Sequence, residues 1–169
     1  MAGDSKRSSG FTMIELMVAL VIAAVMLGYA LPAFNDFTVQ RRMTANVNAL
    51  ASAINYARNE ATRLGGVVTL RAVDASDTDN EWGPGFCVNV GNPGDCDAPL
   101  RSFTMDGEVT ADAVLNNQTI LTFNSRGMMQ AGQPETVQIC GIDADDDPGR
   151  VVNINAVGRA SILDLVCYP

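Results

Sequence analysis

No histidine occurs anywhere in the 169 residues, and Lys6 is the only lysine. The first absence removes the commonest general base and the commonest metal ligand at once. The second leaves arginine as almost the only cation. Aromatic residues are scarce at 6%, with a single tryptophan, Trp82. Nowhere are two of the four cysteines spaced Cys-x-x-Cys, which argues against a zinc site or a thioredoxin-like centre. No carboxylate pair, thiol or hydroxyl spacing nominates a catalytic constellation, so no enzyme, cofactor or metal is expected.

Charge is also unevenly spread. From residue 67 to the end, fifteen acidic residues face five arginines, a formal charge of −10. Such a surface repels nucleic acid and anionic lipid. Conversely, residues 16–34 carry no charge at all. About 20 apolar residues suffice to cross a bilayer as a helix. Glu15 stands at the head of this run, behind a polar leader, residues 1–10, that carries Lys6 and Arg7. A secretory signal peptide has its small-residue cleavage site after the apolar stretch. Here the small residue, Gly10, precedes it, so cleavage there leaves the helix on the mature chain with Phe11 at its new terminus.

Gly10-Phe11-Thr12-Met13-Ile14-Glu15-Leu16 closely resembles the class III leader of type IV pilins and type II secretion pseudopilins. The resemblance implies cleavage after Gly10 by a prepilin peptidase, N-methylation of Phe11 and a role in subunit assembly for Glu15. It also implies a helix with a proline at the position of Pro32. Physics supports a special role for Glu15, because a carboxylate near the end of a membrane helix is costly unless paired. Its natural partner is the terminal amine of a neighbouring subunit; the competing reading is snorkelling to the headgroups.

Pro32 is expected to bend the helix. Beyond it Met43, Val47, Leu50, Ile54, Ala57, Ala61 and Leu64 recur at spacings of four and three, an apolar stripe on one helical face. Gly65-Gly66 supplies the stop. One helix over residues 11–64 would be ~80 Å long at ~1.5 Å per residue. The texture then changes to short β-like runs at 67–73, 86–90, 108–110, 119–123, 136–142, 151–156 and 160–166. These predict an antiparallel sheet or a two-sheet sandwich.

Cys87, Cys96, Cys140 and Cys167 all follow the apolar segment, and an even count in an exported domain reads as two disulfides. Three pairings are open. Cys87–Cys96, closing a short loop, with Cys140–Cys167, tying late strands, is favoured. Lys6 and Arg7 against Arg41 and Arg42 leave the charge rule for orientation nearly balanced. The expected disulfides and the leader decide for a periplasmic head.

Ala57-Arg58-Asn59-Glu60-Ala61, Gly65-Gly66-Val67-Val68-Thr69-Leu70, Trp82 with Gly85-Phe86, Phe123-Asn124-Ser125-Arg126-Gly127 and Gly158-Arg159 occur in the order seen in GspH/FimT-type minor pilins, which this chain resembles. The resemblance implies an α+β fold, a long N-terminal helix on a small antiparallel β-rich head of two sheets, and a structural subunit. The segments are residues 1–10 (cytoplasmic leader, removed), 11–34 (transmembrane and filament-core helix), 35–66 (amphipathic helix) and 67–169 (periplasmic head). The partners implied are the prepilin peptidase, other minor pilins, the major pilin and the inner membrane. The first functional expectation is a minor pilin priming assembly or forming the tip of a type IV pilus. A minor pseudopilin of type II secretion is the alternative, and a DNA receptor for transformation a second. Some FimT-type proteins bind DNA through Gly-Arg-x-Arg; here Gly158-Arg159-Ala160-Ser161 lacks the second arginine, which disfavours DNA.

The run Asp143, Asp145, Asp146, Asp147 is no EF-hand, because Pro148 and Ile154 stand where glycine and glutamate are required. It reads as a solvated turn with Pro148-Gly149, and a looser calcium site is the competing reading. Asp74, Asp77, Asp79 and Glu81 read the same way. Trp82 reads as core, and Arg126 as shaping a turn or pairing with an acidic neighbour.

Overall fold

The computed structural model describes residues 11–74, 80–105, 109–130, 134–141 and 148–167; the side chains of residues 29–36 and 148 lie outside that set. The chain divides into two units, Met1–Thr38 and Val39–Pro169. One helix, α1 (Met13–Leu64), enters both. It is continuous through the position of Pro32, where the chain lacks a backbone donor. Among the described residues no helix is long and apolar enough to cross a membrane. The expected span, 11–34, includes residues 29–34, whose side chains fall outside the described set.

The first unit is stabilised locally at its start and left apolar along its length. The second unit holds the core. Met43, Val47, Leu50, Ile54, Ala57 and Ala61 are all buried, as the spacing predicts, and Ala53 joins them. Leu64 does not: it is 42% exposed, because the helix ends there. Gly65 adopts a positive φ of 63° and Gly66 N–H donates to Ala61 O at 3.2 Å, closing the helix with a Schellman motif. Asn46 is buried as well.

Eight strands form two antiparallel four-stranded sheets, giving the α+β class. The first has the order β3-β2-β1-β5, from β1 (Val68–Ala72), β2 (Phe86–Val90), β3 (Arg101–Phe103) and β5 (Ile120–Phe123). The second has the order β4-β6-β7-β8, from β4 (Val109–Ala113), β6 (Glu135–Gly141), β7 (Pro148–Ile154) and β8 (Ala160–Val166). Val68, Leu70, Phe86, Leu121 and Phe123 from one sheet join Ala111, Val137, Ile139, Val152 and Ile154 from the other and the helical stripe in a single apolar cluster. Trp82 sits within it, fully buried, its indole N–H donating to Gln118 O at 3.1 Å.

Three expectations are corrected. The strand β3 was not anticipated: Arg-Ser-Phe is short and half polar, and it gains order from pairing with β2 and from Arg101 lying over the Phe103 ring at 4.8 Å. Pro148-Gly149 is not a turn but the start of β7, with Gly149 paired to Leu165 of β8. Glu81 is not a solvated acid; it is 1% exposed, and its Oε2 accepts from Ala113 N–H at 3.4 Å. Asp77, Asp79, Asp143, Asp145, Asp146 and Asp147 lie outside the described residues.

Both favoured disulfides are formed, with Cα–Cα distances of 5.9 Å for Cys87–Cys96 and 6.0 Å for Cys140–Cys167. The first closes the loop after β2. The second ties β6 to the residue after β8, across the intervening β7. A side chain at Gly149 would run into Cys167 Sγ and lie 3.0 Å from Ile139 O. Glycine is therefore required beneath the cystine, a close-approach role for glycine in a strand.

Candidate functional site

The start of α1 is built from Phe11, Thr12 and Glu15. Thr12 caps the helix: its Oγ1 accepts from Glu15 N–H at 3.3 Å, while Thr12 N–H donates back to Glu15 Oε2 at 3.3 Å. That reciprocal pair is a capping box, and a cap of this kind contributes about 1 kcal/mol. The Thr12 hydroxyl also lies 3.3 Å from Glu15 Oε2. Glu15 thus complements the positive end of the helix dipole and is held one turn from Phe11. Gly10 lies outside the described residues.

Behind this polar knot the helix is exposed on every side. Phe11 is 81% exposed, and Met13, Ile14, Leu16, Met17, Val18, Leu20, Val21 and Ile22 are all exposed. Ile14, Met17, Val18, Val21 and Ile22 form one apolar stripe along the helix. Each such side chain gains about 1.5–3 kcal/mol when removed from water. Exposed apolar surfaces of this extent are characteristic of protein or membrane interaction sites in general.

On the head, two matching loops bring together segments far apart in sequence. In residues 124–128, Asn124 Oδ1 accepts from Arg126 N–H at 2.9 Å and Met128 N–H at 3.3 Å. Gly127 N–H closes the turn on Asn124 O at 2.8 Å, with φ of 72° at Gly127. Residues 155–159 repeat the pattern. Asn155 Oδ1 accepts from Arg159 N–H at 2.9 Å, and Gly158, φ 76°, donates to Asn155 O at 2.7 Å.

The two loops abut. A Cβ at Gly158 would lie 2.9 Å from Gly127 O and 3.2 Å from Arg58 Nε, and Arg58 Nε donates to that same Gly127 carbonyl at 2.9 Å. Three of the sequence segments singled out above, around Arg58, Arg126 and Gly158-Arg159, therefore meet at one point. Gly158→Ala is expected to destabilise the head by about 1–3 kcal/mol through overpacking in a left-handed turn, read as a lower urea midpoint. Arg126 shapes its turn through its backbone; the guanidinium groups of Arg126 and Arg159 are exposed and make no ion pair among the described residues. Arg63 contrasts with them. It is paired to Glu60 at 2.6 Å, and that hydrogen bond, with the Glu60 charge, raises its pKa.

Reasoning from sequence missed Glu135. It is fully buried, and its carboxylate accepts from Leu115 N–H (3.1 Å), Asn116 N–H (3.1 Å), Gln118 N–H (3.0 Å) and Thr136 N–H (2.8 Å). Among the described residues, no three or more cysteines, aspartates or glutamates are grouped to hold a metal ion.

With this geometry in hand, the comparisons with known proteins fall into one pattern. Residues 46–158 match the family described as type II transport protein GspH, and residues 5–31 match the prokaryotic N-terminal methylation motif. A segment of 56 residues is 43% identical to the type IV narrow pilus major component PilA5 of Thermus thermophilus, covering 33% of this chain and 47% of that protein. The chain thus spans about half the length of that curated relative. The fold is similar to that of the type IV minor pilin FimU of Pseudomonas aeruginosa, with TM-score 0.64, 28% identity, and coverage of 75% of this chain and 92% of that one. A fold likeness alone extends to the minor pseudopilin EpsH of the Vibrio cholerae type 2 secretion system, at TM-score 0.50, 13% identity, and coverage of 74% and 97%. These are structural pilins rather than enzymes. The capped apolar helix, the two-sheet head and the match over residues 46–158 place the chain in the GspH family, the minor pilins and pseudopilins of type IV pilus and type II secretion filaments.

Proposed function

We propose that the chain is a minor pilin made as a prepilin, cut by a prepilin peptidase between Gly10 and Phe11, and N-methylated at Phe11. Residues 1–10 are the cytoplasmic leader, 11–34 the single inner-membrane span and later the filament core, 35–66 the amphipathic helix, and 67–169 the periplasmic head. The observation that carries this reading is the helix start: apolar side chains exposed on all sides, with one carboxylate held a turn from Phe11. Apolar helices pack together in the filament, and Glu15 neutralises the terminal amine of a neighbour, which sets register. Joining other minor pilins and the major pilin, the head primes assembly or forms part of the tip complex.

Glu15 is also a capping residue, so its two roles must be separated. Glu15→Gln retains a side chain that completes a capping box but removes the charge. Both Glu15→Ala and Glu15→Gln are expected to be cleaved normally and to enter sheared filaments at least about tenfold less than wild type, as expected for an unpaired buried charge on the neighbour. Immunoblots of filament and membrane fractions measure this. Normal incorporation of the glutamine variant would reject the charge pairing and leave capping alone.

The match to the GspH family favours a second reading, a minor pseudopilin of type II secretion. Deletion and complementation separate the two. Loss of surface pili, restored with the gene, supports the pilus; normal pili with stalled exoprotein export support secretion. Normal pili with lost DNA uptake would instead support a transformation receptor.

A further inference from the structure

The strand β8 ends the second sheet, and among the described residues its outer rim pairs with nothing. Edge strands of folded proteins are normally blunted by charged side chains (lysine above all), proline, a bulge or brevity. This one is seven residues long, paired in full register with β7, and contains neither lysine nor proline. Ile162, Leu163 and Val166 are 43%, 56% and 48% exposed. Its one charged residue, Asp164, is 87% exposed and pairs with Arg150 at 2.6 Å. Both ends are fixed, by the loop of residues 155–159 at the start and by the Cys140–Cys167 disulfide just past the finish.

The rim can be assigned by register. Asn155 N–H bonds Arg159 O at 3.1 Å, and Asn153 pairs with Ser161. In an antiparallel ladder the bonded residues alternate, so Ser161, Leu163 and Leu165 face β7. The backbone groups of Ala160, Ile162, Asp164 and Val166 point outward, free to pair. In water such a row of alternating donors and acceptors is solvated, and another extended strand can replace that water along its whole length. At its beginning stand Arg159 and, through the contact of Gly158 with Gly127, Arg126. Arg159 and the loop that carries Arg126, neither arginine in an ion pair among the described residues, thus stand at one end of an edge whose one charged residue is Asp164, in a strongly acidic head.

We propose that β8 is a docking edge for an extended strand of a neighbouring pilin subunit, apolar at alternate positions and bearing a carboxylate at the end beside Arg126 and Arg159. Strand addition would continue the second sheet from one subunit into the next. The charge pair would fix direction and register, since an apolar edge alone specifies register weakly. This rests on the reading of the chain as a filament subunit.

Hydrogen exchange tests it without knowing the partner. Full-length processed protein is compared in detergent micelles and in sheared filaments, with residue-level readout by fragmentation mass spectrometry. The amides of Ala160, Ile162, Asp164 and Val166 are expected to exchange fast in micelles and at least about tenfold slower in filaments. Those of Ser161, Leu163 and Leu165, already bonded to β7, serve as the internal reference. Ile162→Pro removes only an outward donor and suits an edge position. It is expected to leave the thermal melt and both disulfides intact while lowering incorporation at least about tenfold. Reversing both charges, Arg126→Glu with Arg159→Glu, should lower incorporation by about tenfold as well. Equal exchange in micelles and filaments, or normal incorporation of either variant, would overturn the docking edge while leaving the filament reading standing. Absence of the wild-type chain from filaments would overturn both.

Discussion

Gly149→Ala is expected to lower the stability of the head by about 3–5 kcal/mol, the combined scale of overpacking a core and losing a native disulfide. The reason is volume. The cystine of Cys140 and Cys167 lies over β7 where a Cβ at position 149 would project, and Ile139 O closes the space from the other side at 3.0 Å. The chain must then either displace the disulfide or bend β7 away from β6 and β8. Either response loosens β8, whose end is anchored by that bond through the next residue, Cys167. Measurements are a urea melt of the full-length protein in micelles and a count of free thiols after oxidative refolding. The cause is isolated by a cycle. In a Cys140→Ala, Cys167→Ala background the obstructing sulfurs are gone, so Gly149→Ala should cost less than about 1.5 kcal/mol. An equal cost in both backgrounds would show that the clash is with backbone rather than with the cystine.

This position also illustrates what was legible in the sequence and what was not. Met43 to Ala61 could be placed on one face because helical periodicity is a local signal and the burial of each residue follows from it. The two disulfides were favoured from loop closure and late-strand position, both local features. Gly149, by contrast, follows Pro148 after a run of aspartates, which has the composition of a turn. Its true role depends on a cystine formed by residues nine positions before and eighteen after it, a non-local fact. Glu81 misled for the same reason: it follows Asp77 and Asp79 in an acidic stretch, yet lies buried beside Ala113. Strand β3 carries little β propensity of its own and is held by β2 and by Arg101 over Phe103.

The meeting of the loops that carry Arg126 and Arg159 was half visible. Asn124-Ser125-Arg126-Gly127 and Asn155-Ala156-Val157-Gly158 share an Asn-x-x-Gly pattern, and both form the same turn. A search for that repeat would have found two equivalent loops. It would not have found that Gly158 packs against the Gly127 carbonyl, because only the fold joins the β5–β6 connection to the β7–β8 hairpin. The residues that could recognise a partner were thus individually readable, while their assembly into one surface was not.

Glu135 had no local signal beyond an acid placed between Pro134 and a β-branched run, and it is expected to be among the most sensitive positions of the head. Its carboxylate takes the backbone N–H groups of Leu115, Asn116 and Gln118, so it organises the connection between β4 and β5 as well as the start of its own strand. That connection turns through Asn117, the one described non-glycine residue with positive φ, at 51°. It also presents Gln118 O to the indole of Trp82, and so reaches the centre of the core. Glu135→Ala leaves four part-buried donors without their acceptor at once and should cost about 3–5 kcal/mol, at about 1 kcal/mol each. Glu135→Gln keeps one carbonyl acceptor but turns an amide donor toward backbone N–H groups, and should cost about 1–3 kcal/mol. Urea midpoints rank the two variants. Exchange of the Leu115, Asn116 and Gln118 amides should rise selectively in both, since those bonds are lost before the sheets open. If the alanine variant lost under about 1 kcal/mol, water would be replacing the carboxylate at these donors, and the connection would be held by its strands alone.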